Sequence, residues 1–435
     1  MTPTHAPAGH GRRPARIVIL GGGFAGATCA RELEPLVRRG DAEVTLINQG
    51  NYFVFTPLLV EAGTGALEPR HAVVPLRDFL SAARLRSAEA LSVDRERRTV
   101  RYRVLGSDAD DEIAYDELIV ALGSVTRLPD VPGLARFGFA MKSLPDAVAL
   151  RDRAIQLLEQ AEATRDPERR RALLHFVVVG ANFSGVEVAG EFSEFLREAA
   201  RAYRNLSPAE CRVSLLEVAP RILSALDPDL AGYALSKLRA RGIDVRLSAT
   251  IAEITRDHAV LSSGERLDTR TVIWCAGIAP NPLVPRLGLP TDAQGWLLCD
   301  PDLRVRGCAD VWGVGDCAVN PDPSGRAYPA TAQHAVREAI ALAANLRRAL
   351  RGEPTRPCAI RSPGALAALG CRTAVAKIYG VKLSGFPAWF LWRTVYLLKM
   401  PGWARRIRVA LDWTLGLFFR RQIVQLGIHR PPTAQ

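Results

Sequence analysis

Three glycines, Gly21, Gly23 and Gly26, follow directly on the apolar run ARIVIL at residues 15–20 and open the helical stretch GGGFAGATCARELE. Spaced G-x-G-x-x-G, they suit phosphate binding. Gly21 permits a tight turn, Gly23 lets backbone amides approach a pyrophosphate, and Gly26 lets helix and strand pack closely. The anion would sit at the positive end of the helix, with Phe24 and Ala25 counted among the binding residues. The same frame returns as G-x-N-x-x-G at Gly180, Asn182 and Gly185, after HFVVV at residues 175–179. Asn182 sets a Cβ where a phosphate would approach, and its amide is itself a candidate phosphate donor.

The strands that end near these turns carry the next candidates. A carboxylate is expected after the strand EVTLI at residues 43–47, to hold a ribose, and the chain has Asn48 instead. An amide still bonds hydroxyls, with less energy because it carries no charge. Glu217 ends RVSLLE at residues 212–217. A carboxylate there grips ribose hydroxyls and repels a 2′-phosphate, which favours NADH over NADPH, although Arg221 lies near enough to accommodate that phosphate. Gly123, Gly277 and Gly315 stand at the ends of three further strand segments, DELIVAL, TVIWCAG and ADVWGVGD, and are counted among the cofactor-binding residues.

Strands alternating with helices imply parallel sheets, and two Gly-rich crossovers imply two of them. The fold class read from this grammar is α/β, with two Rossmann-like dinucleotide-binding domains and a C-terminal amphipathic helical module. The first domain takes residues 14–140 and returns at 273–350, the second takes 141–272, and the module takes 351–435.

At 435 residues the chain exceeds one ordinary core, and with 48% hydrophobic and 23% charged residues it should fold. A net charge of +12 points to an anionic partner. The eight cysteines include no C-x-x-C, so neither a metal cluster nor a thioredoxin-like pair is signalled, and mostly buried thiols are expected. The polar lead MTPTHAPAGHGRRPA, with Arg12 and Arg13 in it and Arg16 just after it, lacks the apolar core of a signal peptide, which suits a reducing cytoplasm.

Residues 385–421 hold four of the seven tryptophans (Trp389, Trp392, Trp403, Trp413) and seven basic residues (Arg393, Lys399, Arg405, Arg406, Arg408, Arg420, Arg421) against one acid, Asp412. Their apolar runs fall short of the roughly 18 residues a spanning helix needs. Ile407, Leu411, Thr414, Leu415 and Phe418 fall at helical spacing, and Arg408 and Asp412 are placed for an i,i+4 pair on another face. Aromatics flanked by cations suit the headgroup boundary, so residues 385–421 are expected to touch a membrane surface. Nothing resembles a nucleic-acid recognition motif. The other reading is a helix pair packed on the body or on a second subunit, which would give a homodimer.

Together these residues resemble the type II NADH dehydrogenase family of two-dinucleotide flavoproteins, from about residue 16 to 345. Gly21 to Gly26 resembles its FAD turn, NYFVFTPLL at 51–59 the segment after the FAD ribose contact, YDELIVALGS at 115–124 the strand under the flavin, and ADVWGVGDC at 309–317 the second FAD signature, with Asp316 on the ribityl chain. Ala332, Gln333 and Ala335 resemble the A-Q-x-A segment beside flavin and quinone, and Arg337 stands where a second glutamine is usual. Glu187, in S-G-V-E, matches a glutamate near nicotinamide and quinone.

The resemblance implies FAD as cofactor, NADH as donor, a quinone as acceptor and a peripheral position on the cytoplasmic face of the cell membrane, without proton pumping. Glu187 and Gln333 would be the catalytic residues. Against this, Glu187 reads also as a carboxylate favoured by a helix's first turn, and Gln333 as a helix-terminal polar residue. Disulfide reductases need a cysteine pair after the first turn, and sulfide:quinone oxidoreductases need cysteines absent between Cys29 and Cys211. Two alternatives stay open: a quinone-linked flavoenzyme with a non-nicotinamide donor, and a low-turnover flavin-bound redox-sensing or interaction protein.

Overall fold

The computed structural model describes residues 13–427, so Arg12 and the polar lead before it lie outside the described residues, as does the end of the C-terminal module. Contacts divide the chain into two units. The first holds residues 1–53, 75–124 and 280–361; the second holds 54–74, 125–279 and 362–435. These bounds differ from those drawn on the sequence: residues 125–140 and 273–279 fall in the second unit and 351–361 in the first, and two larger segments also change place. Residues 54–74 leave the first unit because Leu59–Gly63 packs on Leu144–Ala163, and residues 362–435 join the second unit because their strands and helices pack there.

The first unit is built on a seven-stranded sheet in the spatial order Val311–Gly313, Glu117–Val120, Ala15–Leu20, Ala42–Asn48, Arg84–Asp94, Thr99–Val104 and Asp110–Ala114. The first five are parallel and the last two antiparallel additions. Ala15–Leu20 lies in the middle, its apolar run buried on both faces as a central parallel strand requires. The crossover helix Phe24–Arg38 and the helix Ala332–Leu350 pack on each other, and Cys29 Sγ donates to the Ala339 carbonyl at 3.6 Å.

The second unit repeats the plan. Its five parallel strands run Gly138–Ala140, Thr271–Trp274, His175–Val179, Arg212–Glu217 and Asp244–Leu247. His175–Val179 is buried at every position, and the crossover helix Phe183–Ala200 follows it. The two-sheet architecture read from the doubled Gly-rich frame is what the chain forms. The charged stretch after Pro145 becomes two helices, Leu144–Ala163 and Pro167–Leu173, the second capped by Asp166 and started at Pro167.

The C-terminal segment is more than a helical module. An antiparallel sheet of Gly364–Ala368, Ala374–Ile378 and Val381–Gly385 precedes the helices Phe386–Lys399 and Trp403–Leu415. Ala367, Leu369 and Val375 enter the same core as Phe192 and Leu196 of the crossover helix. The approach is close: a Cβ on Gly190 would stand 2.4 Å from the Leu369 carbonyl oxygen. No helix among the described residues is long and apolar enough to cross a membrane.

Candidate functional site

In the first Gly-rich turn, Gly21 has φ +97°, and a Cβ there would lie 2.3 Å from the Ala121 carbonyl oxygen. A Cβ on Gly26 would strike the Gly21 carbonyl oxygen at 1.8 Å. Both positions accept only glycine. Gly23 is different: it caps the helix Phe24–Arg38 with φ −71°, and a Cβ there meets nothing within 4 Å. The open space lies over the helix N-terminus, where unsatisfied amides attract an anion. This turn therefore fits a dinucleotide pyrophosphate.

The second turn reproduces the geometry. Gly180 has φ +93°, and a Cβ on Gly185 would lie 1.7 Å from the Gly180 carbonyl oxygen. Asn182 caps the helix Phe183–Ala200 with φ −74°, so it needs none of the unusual angles that asparagine tolerates. Its Oδ1 accepts from the Gly185 amide at 3.0 Å and its Nδ2 donates to the Cys275 carbonyl at 2.8 Å. The side chain is fastened as an ordinary N-cap, and this engages the amide read from sequence as a phosphate donor.

The strand-end residues brace the turns. Asn48 Oδ1 accepts from the Gly22 amide at 2.7 Å, and its Nδ2 donates to the Gly50 carbonyl at 2.7 Å. Glu217 Oε2 accepts from the Ala181 amide at 2.6 Å, and Oε1 from the Ala219 amide at 2.9 Å. Gly22 and Ala181 hold the same place in the two frames, so both side chains do one job: each accepts from the second amide of its turn. Arg221 is turned to the Ser224 carbonyl at 2.8 Å.

Asp316 is half-buried and accepts from Ser124 Oγ at 3.3 Å, beside Gly315 with φ +73°. Gly123 and Gly277 have φ of +66° and +79°. The Phe24 ring meets Phe53 edge-on at 5.5 Å. Ala25 is buried and faces Gly315, whose added Cβ would lie 3.0 Å away. Gln333 lies in the first turn of Ala332–Leu350, and its carbonyl accepts from Arg337 at 2.9 Å. One turn on, buried Glu338 accepts from the Gly315 amide and from Asn320 Nδ2, both at 2.8 Å. Sequence reading missed Glu338; a charged residue on the apolar face of a helix was the available signal.

Glu187 does not lie in its helix's first turn. It is the fifth residue of Phe183–Ala200, beyond where the macrodipole acts strongly. Its Oε1 accepts from the Ala368 amide at 3.1 Å, and the Trp392 indole lies beside it. Burial pushes its pKa up to about 8; the Ala368 amide and Trp392 oppose this, while Glu61 and Glu191 add repulsion. The helix-dipole explanation is thereby displaced by contacts from the C-terminal segment.

That segment turns much of its charge inward. Glu61 Oε2 accepts from Trp413 Nε1 at 2.7 Å, and Oε1 lies 3.7 Å from Arg393. Burial raises Glu61 to about 7 against the pull of Arg393. The Arg393 guanidinium sits over Trp389 and Trp413, at 4.3 and 4.6 Å from the ring centres. Arg421 lies 3.3 Å from Glu191, 3.8 Å from Glu194 and 3.3 Å from Glu198. The expected Arg408–Asp412 pair does not form; Asp412 accepts from the Glu68 amide at 3.2 Å and bonds His71 Nδ1 at 2.5 Å. Trp392 and Trp413 are buried, and only Trp403 of the four tryptophans is exposed.

The comparisons with known proteins agree with this geometry. A family model described as pyridine nucleotide-disulphide oxidoreductase matches residues 15–339, and one described as NDH2 C-terminal domain matches residues 363–422. The chain is 30% identical over 437 residues to the type II NADH:quinone oxidoreductase Ndh of Mycobacterium tuberculosis, covering 97% of this chain and 92% of that one. The chain belongs to the type II NADH dehydrogenase family. A second relative, the demethylphylloquinone reductase NdbB of Synechocystis, is 33% identical over 409 residues, covering 92% of this chain and 95% of that protein. Among solved structures, NDH2 of Plasmodium falciparum in complex with NADH has the same fold, with a TM-score of 0.88 at 20% identity, covering 95% of this chain and all of that one.

The eight cysteines are free and six are buried, with Cys275 half-buried and Cys371 exposed. Burial pushes the Cys275, Cys317 and Cys358 thiols up to about 12. No cluster of His, Cys, Asp or Glu among the described residues could hold a metal.

Proposed function

We propose that this chain is an FAD-dependent NADH:quinone oxidoreductase that takes a hydride from NADH and delivers the electron pair to a membrane quinone without pumping protons. The observation that carries this is the doubled turn, each braced at the same backbone amide, at Gly22 by Asn48 and at Ala181 by Glu217. The relatives are named as an NADH dehydrogenase, an NADH:quinone oxidoreductase and a demethylphylloquinone reductase, which supports neither another donor nor a low-turnover sensor. FAD, when bound, supplies the two-electron redox chemistry that no side chain can.

The chain's residues then divide the remaining tasks. Gly21, Gly23, Phe24, Ala25 and Gly26 offer backbone to the FAD pyrophosphate, Asn48 holds that backbone in place, and Asp316 takes a ribityl hydroxyl, with Gly123 and Gly315 shaping the approach. Gly180, Asn182, Gly185 and Gly277 form the nicotinamide dinucleotide's turn. Glu217 keeps lone pairs free for ribose hydroxyls while repelling a 2′-phosphate. Gln333 orients the quinone, and Glu187 supplies its protons.

The test is anaerobic mixing with NADH, followed by a quinone. Rapid bleaching of the flavin absorbance, reversed on adding quinone, is expected; bleaching by neither NADH nor NADPH would sink the reading. NADPH should act more slowly, and Glu217→Ala should narrow the difference.

For the membrane, the proposal places residues 385–421 at the cytoplasmic face as a peripheral attachment. A stripe of exposed apolar side chains supports it: Ile407, Leu411, Leu415 and Phe418, the last 78% exposed, with Phe386 and Phe390 on the preceding helix. Deleting the segment is a poor test, because it would strip Trp392 from Glu187 and Trp413 from Glu61. Substituting Leu411→Ser, Leu415→Ser and Phe418→Ser leaves those contacts in place. Each change should lower affinity for anionic vesicles roughly tenfold. Undiminished binding by the triple variant would show that the stripe serves another surface, such as a second copy of the chain.

A further inference from the structure

A cavity of about 340 Å³ lies at the amino ends of Gly138–Ala140 and Thr271–Trp274. The dinucleotide turn of the same sheet is at the opposite, carboxyl ends of the strands, where Gly180, Glu217 and Gly277 lie. The cavity is therefore separate from that site. Arg136, Arg153, Arg256 and Arg270 line it, beside Phe137 and Val272.

The charges there do not balance. Arg270 pairs with Asp257 at 2.6 Å. Arg153 donates only to neutral oxygens, the Arg270 carbonyl at 3.0 Å and Gln156 Oε1 at 3.2 Å. Arg136 lies over the Phe137 ring at 5.1 Å. No carboxylate pairs with Arg136, Arg153 or Arg256 among the described residues, although most of the chain's ion pairs are arginine pairs. The Nε atoms of Arg153 and Arg270 are buried without a hydrogen-bond partner. Burial and repulsion from Arg270 and Arg256 together hold the Arg153 guanidinium below its ordinary pKa. Bringing like charges together with unmet donors costs free energy that an anion would recover.

We propose that this cavity binds a small nucleotide-like polyanion, with its phosphates on the arginine forks and its planar body against Phe137 and the apolar wall. Guanidinium groups match phosphate oxygens two at a time. The volume falls within the range of about 300–1,000 Å³ usual for small-molecule sites.

The test titrates ADP into the full-length, FAD-loaded protein at saturating NAD⁺, with inorganic pyrophosphate and adenosine as separate arms. Saturable ADP binding that survives NAD⁺ and weakens with added salt is expected, with pyrophosphate weaker and adenosine inactive. Arg153→Gln and Arg256→Gln should each weaken ADP roughly tenfold or more. Both should leave basal NADH:quinone turnover unchanged, since neither residue belongs to the proposed electron-transfer machinery. Arg256 is exposed, so its variant keeps the fold even if Arg153→Gln does not. Displacement of ADP by NAD⁺, affinity unchanged in the Arg256 variant, or no saturable binding would each overturn the proposal. Pyrophosphate binding as tightly as ADP would overturn the nucleotide class.

Discussion

Replacing Glu187 by glutamine should slow reoxidation of the reduced enzyme by quinone about 10²–10⁴-fold, the usual contribution of a positioned acid, while reduction by NADH changes little. The substitution isolates proton delivery. Glutamine keeps an acceptor for the Ala368 amide at nearly the same place, so the packing of the crossover helix on the C-terminal sheet survives. Only the proton is lost.

The pH dependence follows from the raised pKa. With Glu187 pushed up to about 8, the carboxyl is protonated at neutral pH and can donate; above 8 it is ionised and cannot. Quinone reoxidation in the parent should therefore fall as pH rises through about 8. The glutamine variant should lose that limb of the profile. The same raised pKa has a stability consequence of the same sign. The folded state binds more protons at Glu187 than the unfolded chain between the ordinary value of 4.5 and about 8, so this contribution fades as pH rises through that window. Separate anaerobic measurement of the two half-reactions checks the first claim. Unchanged reoxidation in Glu187→Gln would leave Glu187 as a packing residue between helix and sheet.

Why the turns were legible in the sequence and the supporting carboxylates were not comes down to range. Gly26 and Gly185 are dictated by the carbonyl five residues before each, and Gly21 and Gly180 by their own positive φ, so their spacing alone carries the geometry. Buried parallel strands such as HFVVV are legible for the same local reason. Glu61 is different. Its partners Arg393 and Trp413 lie more than three hundred residues away, and nothing near it in sequence announces burial. Glu34 is a second case, accepting from the Ser81 and Ala82 amides across the first unit. The C-terminal sheet escaped because GALAA and VKLSG lack the β-branched and aromatic density that marks strands, and packing on the crossover helix supplies what propensity does not. The aromatic and basic texture of residues 385–421 suits both a headgroup boundary and a helix pair packed on the body. The fold separates it into an inward set around Glu61 and an outward stripe.

Converting Gly23 to asparagine should turn a tightly retained flavin into a dissociable one, raising its dissociation constant roughly 10- to 100-fold, the range expected from forcing an extra group into a filled site. The second turn is the precedent within the same chain, because Asn182 occupies the equivalent N-cap with nearly the same backbone, φ −74° against −71°. On the proposed function, that second turn serves a substrate that must leave at each turnover, whereas the first serves a cofactor that must stay. A Cβ at Gly23 meets nothing within 4 Å in the protein, so the fold has room for it. Asparagine is also among the best N-caps, and the helix should gain slightly in stability. The damage should fall on the ligand alone. Gly26→Ala is the contrasting control: its Cβ would lie 1.8 Å from the Gly21 carbonyl oxygen, so it should lose fold and flavin together. Flavin content on purification and a fluorescence titration of the stripped protein measure the first effect, and thermal unfolding measures the second. If Gly23→Asn keeps its flavin with unaltered affinity, the pyrophosphate does not lie against that residue and the assignment of this turn fails.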